Sequence, residues 1–276
     1  MTMAARSGPA TCAGPDEAAV YAALDRVIDP ELDESLLKLE FIDGVRIEGD
    51  CVTVGLRLPT FWCAPNFAYM MARDTRDRLL EVAGVHRARV TLKDHFASDQ
   101  ITAGVTEGRP FEEVFPGDAE GNLDGLRQLF RRKAFTMRQE RCVRLLLDAG
   151  LSSEEIVGLR LGDVDFVDNG DDLLLEIGGA RRLLPGGAEL ARVYLARRQE
   201  LGLDCGASAP LVTDSRGSPV PAADLVDSLR GARRQRVSME FNTSLCRGLL
   251  TTRYGASGPG AIDRSSCVDS DVMKRR

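Results

Sequence analysis

The chain has 276 residues, a length that predicts two domains, and its 43% hydrophobic but only 5% aromatic content predicts cores built from Leu, Val and Ala. A formal net charge of -6 excludes a chain that coats nucleic acid through its overall charge, though not a local basic patch, and no apolar run reaches the roughly 18 residues of a transmembrane helix. The seven cysteines (Cys12, Cys51, Cys63, Cys142, Cys205, Cys246 and Cys267) are scattered without a CxxC pair, the usage of a reducing cytoplasm rather than of a disulfide framework or a pre-built zinc site.

The first 15 residues carry Gly, Ala, Pro and Ser without a hydrophobic core segment, and read as a disordered lead rather than a signal peptide. Asp16–Val27 reads as a helix with Val20, Leu24 and Val27 on one face. Asp29-Pro30 stops it, because a residue before proline is pushed out of the helical region. The stretch from Leu32 to Leu39 is ambiguous. Phe41–Glu48 and Cys51–Leu58 alternate around Gly49-Asp50 and predict a hairpin with Val52, Val54, Leu56 and Leu58 as its buried row.

A helix is predicted over Pro65–Val82, with Phe67, Met70, Met71 and Leu79 inward and Gly84 at its end. A strand follows over Val85–Leu92. Helix, hairpin, helix, strand make a compact α/β domain, given the boundaries 16–96. Residues 97–122 read as a connector from which Phe111, Val114 and Phe115 can dock back. The second domain, 123–237, is mainly helical. It has helices from Leu123, over Gln139–Ala149, after Ser152 or Ser153, over Gly187–Leu201 and over Ala222–Arg236, with a hairpin at Gly178-Gly179. The whole is α+β. After Val237 the pattern dissolves, and residues 238–276 are expected to be irregular or disordered.

The densest chemistry lies in Pro59-Thr60-Phe61-Trp62-Cys63-Ala64-Pro65-Asn66. Cys63 stands just before the proline that opens a helix, where backbone N–H groups and the helix dipole favour a thiolate. A thiolate is a nucleophile or a soft metal ligand. Upstream, Asp29-Pro30-Glu31 places two carboxylates around a proline; taken alone, such a tripeptide caps a turn. Asp94-His95 at the end of the last strand pairs a carboxylate with an imidazole, a donor set for iron, although such a pair is ordinarily a surface contact. No G-x-S-x-G, H-E-x-x-H or P-loop pattern occurs, which argues against a hydrolase.

The run VIDPELDESLLKLEFIDGVRIEGDCVTVGLRLPTFWCAPN resembles the PaaD/SufT-type iron–sulfur assembly domain, matching it at Asp29, Pro30, Glu31, Thr60 and Cys63 over residues 16–96. The family commonly has glycine before the cysteine and proline directly after it, where this chain has Trp62, Ala64 and then Pro65. The resemblance implies a maturation factor rather than an enzyme, one that assists iron–sulfur cluster assembly or iron insertion into a client such as an oxygenase. Cys63 would then be a transient ligand of iron or of a cluster, with Asp29, Glu31, Thr60 and His95 around it. One cysteine cannot hold a cluster, so a homodimer, an assembly protein, the client or other ligands would complete the set.

CVRLLLDAGLSSEEIVGLRLGDVDF resembles the opening of a tyrosine recombinase (phage integrase) catalytic domain, and the likeness extends over residues 139–236. The chemistry does not carry over: Ser152 stands at the first catalytic arginine, and no His-x-x-Arg can occur after His95. The alternative function is therefore a catalytically dead, recombinase-like DNA-binding or regulatory module using Arg230, Arg233, Arg234 and Arg236. The acidic chain favours protein docking over DNA. A purely structural adaptor without metal is the third reading.

Overall fold

The computed structural model describes residues 14–117, 123–167 and 170–254. Two compact units divide the chain. The first takes residues up to Glu120 together with those from Thr243 onward, and the second takes Gly121–Asn242.

In the first unit, α1 (Glu17–Asp25) begins where Asp16 Oδ2 accepts the Ala19 N–H at 3.2 Å, and it buries Val20, Ala23 and Leu24. The chain then forms a two-residue ladder, β1 (Ile28–Asp29) against β2 (Glu34–Ser35), with Asp29 opposite Glu34. This ladder resolves the ambiguous stretch after Pro30. β3 (Ile42–Glu48) and β4 (Cys51–Arg57) pair antiparallel, Glu48 facing Cys51, and Gly49 at φ +60° supplies the left-handed turn conformation.

β4 is the central strand. α2 (Pro65–Leu80) carries the chain over to β5 (Arg87–Lys93), which pairs parallel with β4. Val52, Val54, Leu56 and Leu58 are buried as expected, and so are Met70, Met71 and Leu79 of α2. Phe67 departs from expectation: in the first turn of α2 it is only half-buried.

The expected connector is not one. α3 (Ser98–Glu107) and α4 (Phe111–Val114) complete the domain. Thr102 Oγ1 accepts the Leu92 N–H at 3.1 Å, so α3 covers the outer edge of β5, where an exposed N–H would invite intermolecular pairing. Ile101 and Val105 are fully buried, and Phe111 packs edge-on against Tyr69 at 5.5 Å. A helix this short, with a glycine in its buried face, leaves too little periodicity to read.

In the second unit, α5 (Leu123–Asp148) is one helix where two were expected. Gly150 at φ +84° follows it, and Ser152 caps α6 (Ser153–Gly158) in a reciprocal pair with Glu155. β6 (Val164–Phe166), β7 (Leu173–Ile177) and β8 (Ala180–Leu184) form an antiparallel meander, turning at Gly178 and Gly179 with φ of +57° and +81°. α7 (Ala188–Glu200) packs Tyr194 into a core with Phe135, Val143, Leu146, Ile156 and Leu175. The Tyr194 hydroxyl lies 2.9 Å from Gln139 Oε1 and 2.6 Å from the Leu211 carbonyl, and Gln139 Oε1 also accepts the Thr213 N–H.

α8 (Leu225–Tyr254) corrects the sequence reading most strongly. The chain stays helical past Val237, and its residues from Thr243 belong to the first unit. Ser, Thr and Asn hide the pattern there, yet Val237, Phe241, Leu245 and Leu249 recur every four residues. The lead that was expected to be disordered and the last stretch after Tyr254 lie outside the described residues. No described helix is long and apolar enough to cross a membrane.

Gly104 lets α3 and α4 approach closely, since a Cβ there would collide with Val114 Cγ2. Gly104→Ala is expected to destabilise the first unit by about 1–3 kcal/mol, read from urea denaturation, because overpacking forces helix or side chain to shift.

Candidate functional site

Asp29 is 7% exposed at the mouth of the β1–β2 turn. Its Oδ1 accepts the backbone N–H groups of Glu31 and Leu32, both at 2.8 Å, and its carbonyl accepts the Asp33 N–H at 2.9 Å. Proline fixes one position of this turn, and Asp33 adopts φ +49°, a left-handed conformation that aspartate tolerates. Asp29 therefore does what its bland reading predicts, capping a turn, and it also keeps a carboxyl inside the protein. Burial, opposed by its two N–H partners and assisted by the nearby Glu31 and Asp33 charges, pushes that carboxyl up to about 6. Glu31 is exposed on the same turn.

Cys63 reaches the site from the loop between β4 and α2. Pro65 stands at the first position of α2, as expected, with Ala64 as the preceding cap residue. The expected activation of the thiol is overturned. Burial comes first, then the Asp29 and Glu31 carboxyls and the Cys246 thiol, and together they push Cys63 up to about 12 against a weak lowering by the Ala64 N–H. Desolvation and negative neighbours outweigh the helix terminus. At neutral pH Cys63 is therefore a protonated thiol rather than the free nucleophile that the helix start alone would give.

His95 does approach Cys63, but through the backbone. Its Nε2 lies 2.7 Å from the Cys63 carbonyl, and Nδ1 accepts the Ala97 N–H at 3.1 Å. The geometry assigns the proton to Nε2, and no lone pair is left for iron. His95 is 3% exposed, so it is neither the surface partner of Asp94 nor an open ligand. Asp94, at φ +52°, turns the chain so that His95 points inward, while its own carboxylate meets Arg57 at 2.9 Å. His95 thus positions the cysteine loop. Thr60 is half-buried at the start of that loop, and Phe61 packs on Phe96 with ring centres 6.2 Å apart.

The rim is aromatic. Phe61, Trp62 and Phe96 are 44%, 74% and 54% exposed, so Trp62 stands largely in solvent. Among the described residues, no three His, Cys, Asp or Glu side chains lie closely enough together to hold a metal ion. Asp29 and Glu31 nonetheless act electrostatically on Cys63, His95 supports its loop, and Cys246, from the tail that the sequence reading expected to be irregular, acts on Cys63 as well.

A family model described as iron-sulfur cluster assembly protein matches residues 17–92. The match begins with α1 and ends within β5, and it contains Asp29, Glu31, Thr60 and Cys63 but not His95 or Cys246. It supports a role in iron–sulfur cluster assembly for that segment. No curated protein matches the chain.

The four arginines expected to contact a partner, Arg230, Arg233, Arg234 and Arg236, lie on the part of α8 that belongs to the second unit. Arg236 bonds Glu140 at 2.9 Å and Glu240 at 2.8 Å, and Arg230 pairs with Asp227 at 3.2 Å. Arg233 and Arg234 are exposed.

Two outcomes follow. The folded-state pKa of Asp29 is raised, so the stability it contributes is complete below pH 4 and is lost as pH rises through 6, a change on the order of 2–3 kcal/mol. Asp29→Asn, which keeps the oxygen acceptor, is expected to flatten that part of the pH profile in chemical denaturation. His95→Ala leaves the part-buried Cys63 carbonyl and the buried Ala97 N–H without this partner, costing about 1–3 kcal/mol. It is expected to speed alkylation of Cys63, measured by mass spectrometry of the labelled peptide.

Proposed function

We propose that the first unit handles iron or an iron–sulfur cluster as cargo, with Cys63 as the protein's soft ligand and Asp29 and Glu31 supplying the negative field that draws a cation to it. The observation that carries this reading is the coupling of a half-buried thiol to two carboxyls inside the segment matched by the assembly family. Thiolates suit iron because they are soft donors, and a protonated thiol amid carboxyls gains most from exchanging its proton for a metal. Thr60 shapes the loop that presents Cys63, and His95 holds it from behind.

The exposed aromatics at the rim suit the docking of another protein, since Trp and Phe give large contact areas at low entropic cost. The partner is an assembly protein or a client metalloenzyme such as an iron-dependent oxygenase, and the site of action is the cytoplasm. The second unit is a docking module with a degenerate recombinase-like ancestry. Its Arg230 and Arg236 are engaged by acidic side chains of the same unit, which favours protein docking over DNA binding.

Anaerobic incubation with ferrous iron and sulfide, followed by desalting, is expected to leave visible absorption and bound iron on the wild type. Cys63→Ser is expected to lose most of both. Identical spectra and iron contents for the two proteins would sink the proposal.

A further inference from the structure

Cys246 lies on α8, outside the matched family segment, yet it belongs to the same unit as Cys63. Two contacts fix the end of α8 on this unit. The Arg247 Nη2 donates to the Lys38 carbonyl at 2.6 Å, and the Arg57 guanidinium lies 4.6 Å from the centre of the Tyr254 ring. Lys38 follows β2, the strand paired with Asp29, and Arg57 ends β4, just before the loop that carries Cys63. The two anchors thus fall on the two segments that build the site. Leu250 is 7% exposed, and Cys246, four residues earlier, shares its inward helix face.

We propose that Cys246 is a second soft ligand of the Cys63 site, so that one chain offers two thiolates from separate elements to a thiophilic cation or to the iron of a cluster. The inference rests on the reading of Cys63 given above. Its electrostatics agree with its geometry: burial and the same two carboxyls, Asp29 and Glu31, raise the Cys246 thiol, and Cys246 in turn acts on Cys63. When a metal binds, each sulfur forms a bond to it and releases its proton to water, and no electron moves. Two thiolates leave the remaining positions of a four-coordinate ion for sulfide, water or a partner's side chains. The cargo is then held by half a ligand set, which suits transfer. In this arrangement the turns of α8 that belong to the first unit supply a ligand from outside the matched segment.

Cobalt(II) is the probe, because each cobalt–thiolate bond adds to a charge-transfer band. The full chain, Cys63→Ser, Cys246→Ser, the double variant and Cys205→Ser are titrated anaerobically, with circular dichroism reporting on folding. The band is expected to fall to about half in either single variant and to vanish in the double variant. It should be unchanged in Cys205→Ser, whose thiol is exposed in the second unit. A Cys246→Ser protein with the full band overturns this inference while leaving Cys63 as a ligand. A Cys63→Ser protein with the full band, or a wild type with none, overturns both readings. A band that survives in the double variant assigns cobalt to other cysteines and overturns the pair.

Discussion

A carboxyl kept out of water is the constraint on which the site depends. Asp29 is tolerated inside the first unit because the turn it begins returns two backbone N–H groups to one of its oxygens. That exchange fixes the turn, the turn sets the β1–β2 ladder, and the ladder holds the carboxyl close enough to Cys63 to matter. The same burial that makes Asp29 hard to ionise makes Cys63 hard to deprotonate. At neutral pH the Cys63 thiol is then a poor nucleophile, and a cation entering beside the Asp29 carboxyl would offset the cost of its burial.

Much of this was legible in the sequence. The hairpin around Gly49 and the helix opened by Pro65 follow from alternation and from proline's tolerance at a first helical turn. The grouping of Asp29, Glu31, Thr60 and Cys63 came from a family pattern rather than from periodicity. What could not be read was the sign of the Cys63 shift. A helix start alone predicts a lowered thiol, and only the fold shows that burial and two carboxyls act against it. His95 was misread for a related reason. Spacing shows which donors a residue owns but not which backbone groups have already taken them.

The chain after Val237 was obscured by its own composition. Polar residues between every fourth apolar one lower the mean hydropathy without abolishing the helix, and a glycine-bearing helix such as α3 gives an equally faint signal. Both segments are assigned by tertiary contact: Thr102 meets the free edge of β5, and Arg247 meets the Lys38 carbonyl. Long-range hydrogen bonds of this kind leave no periodic trace. The second unit was easier to read because its elements carry local stops and starts, such as the cap at Ser152 and the left-handed glycines of the β7–β8 turn.

Trp62 is the single tryptophan of the chain, it stands largely in solvent, and it is bonded directly to Cys63. The intrinsic tryptophan emission of this protein therefore comes from one loop. Iron arriving at the neighbouring sulfur would quench it, and a protein surface closing over the aromatic rim would shift it toward shorter wavelengths. On the proposed reading, this one residue would report both iron loading and partner docking, and the two would move its emission in different ways.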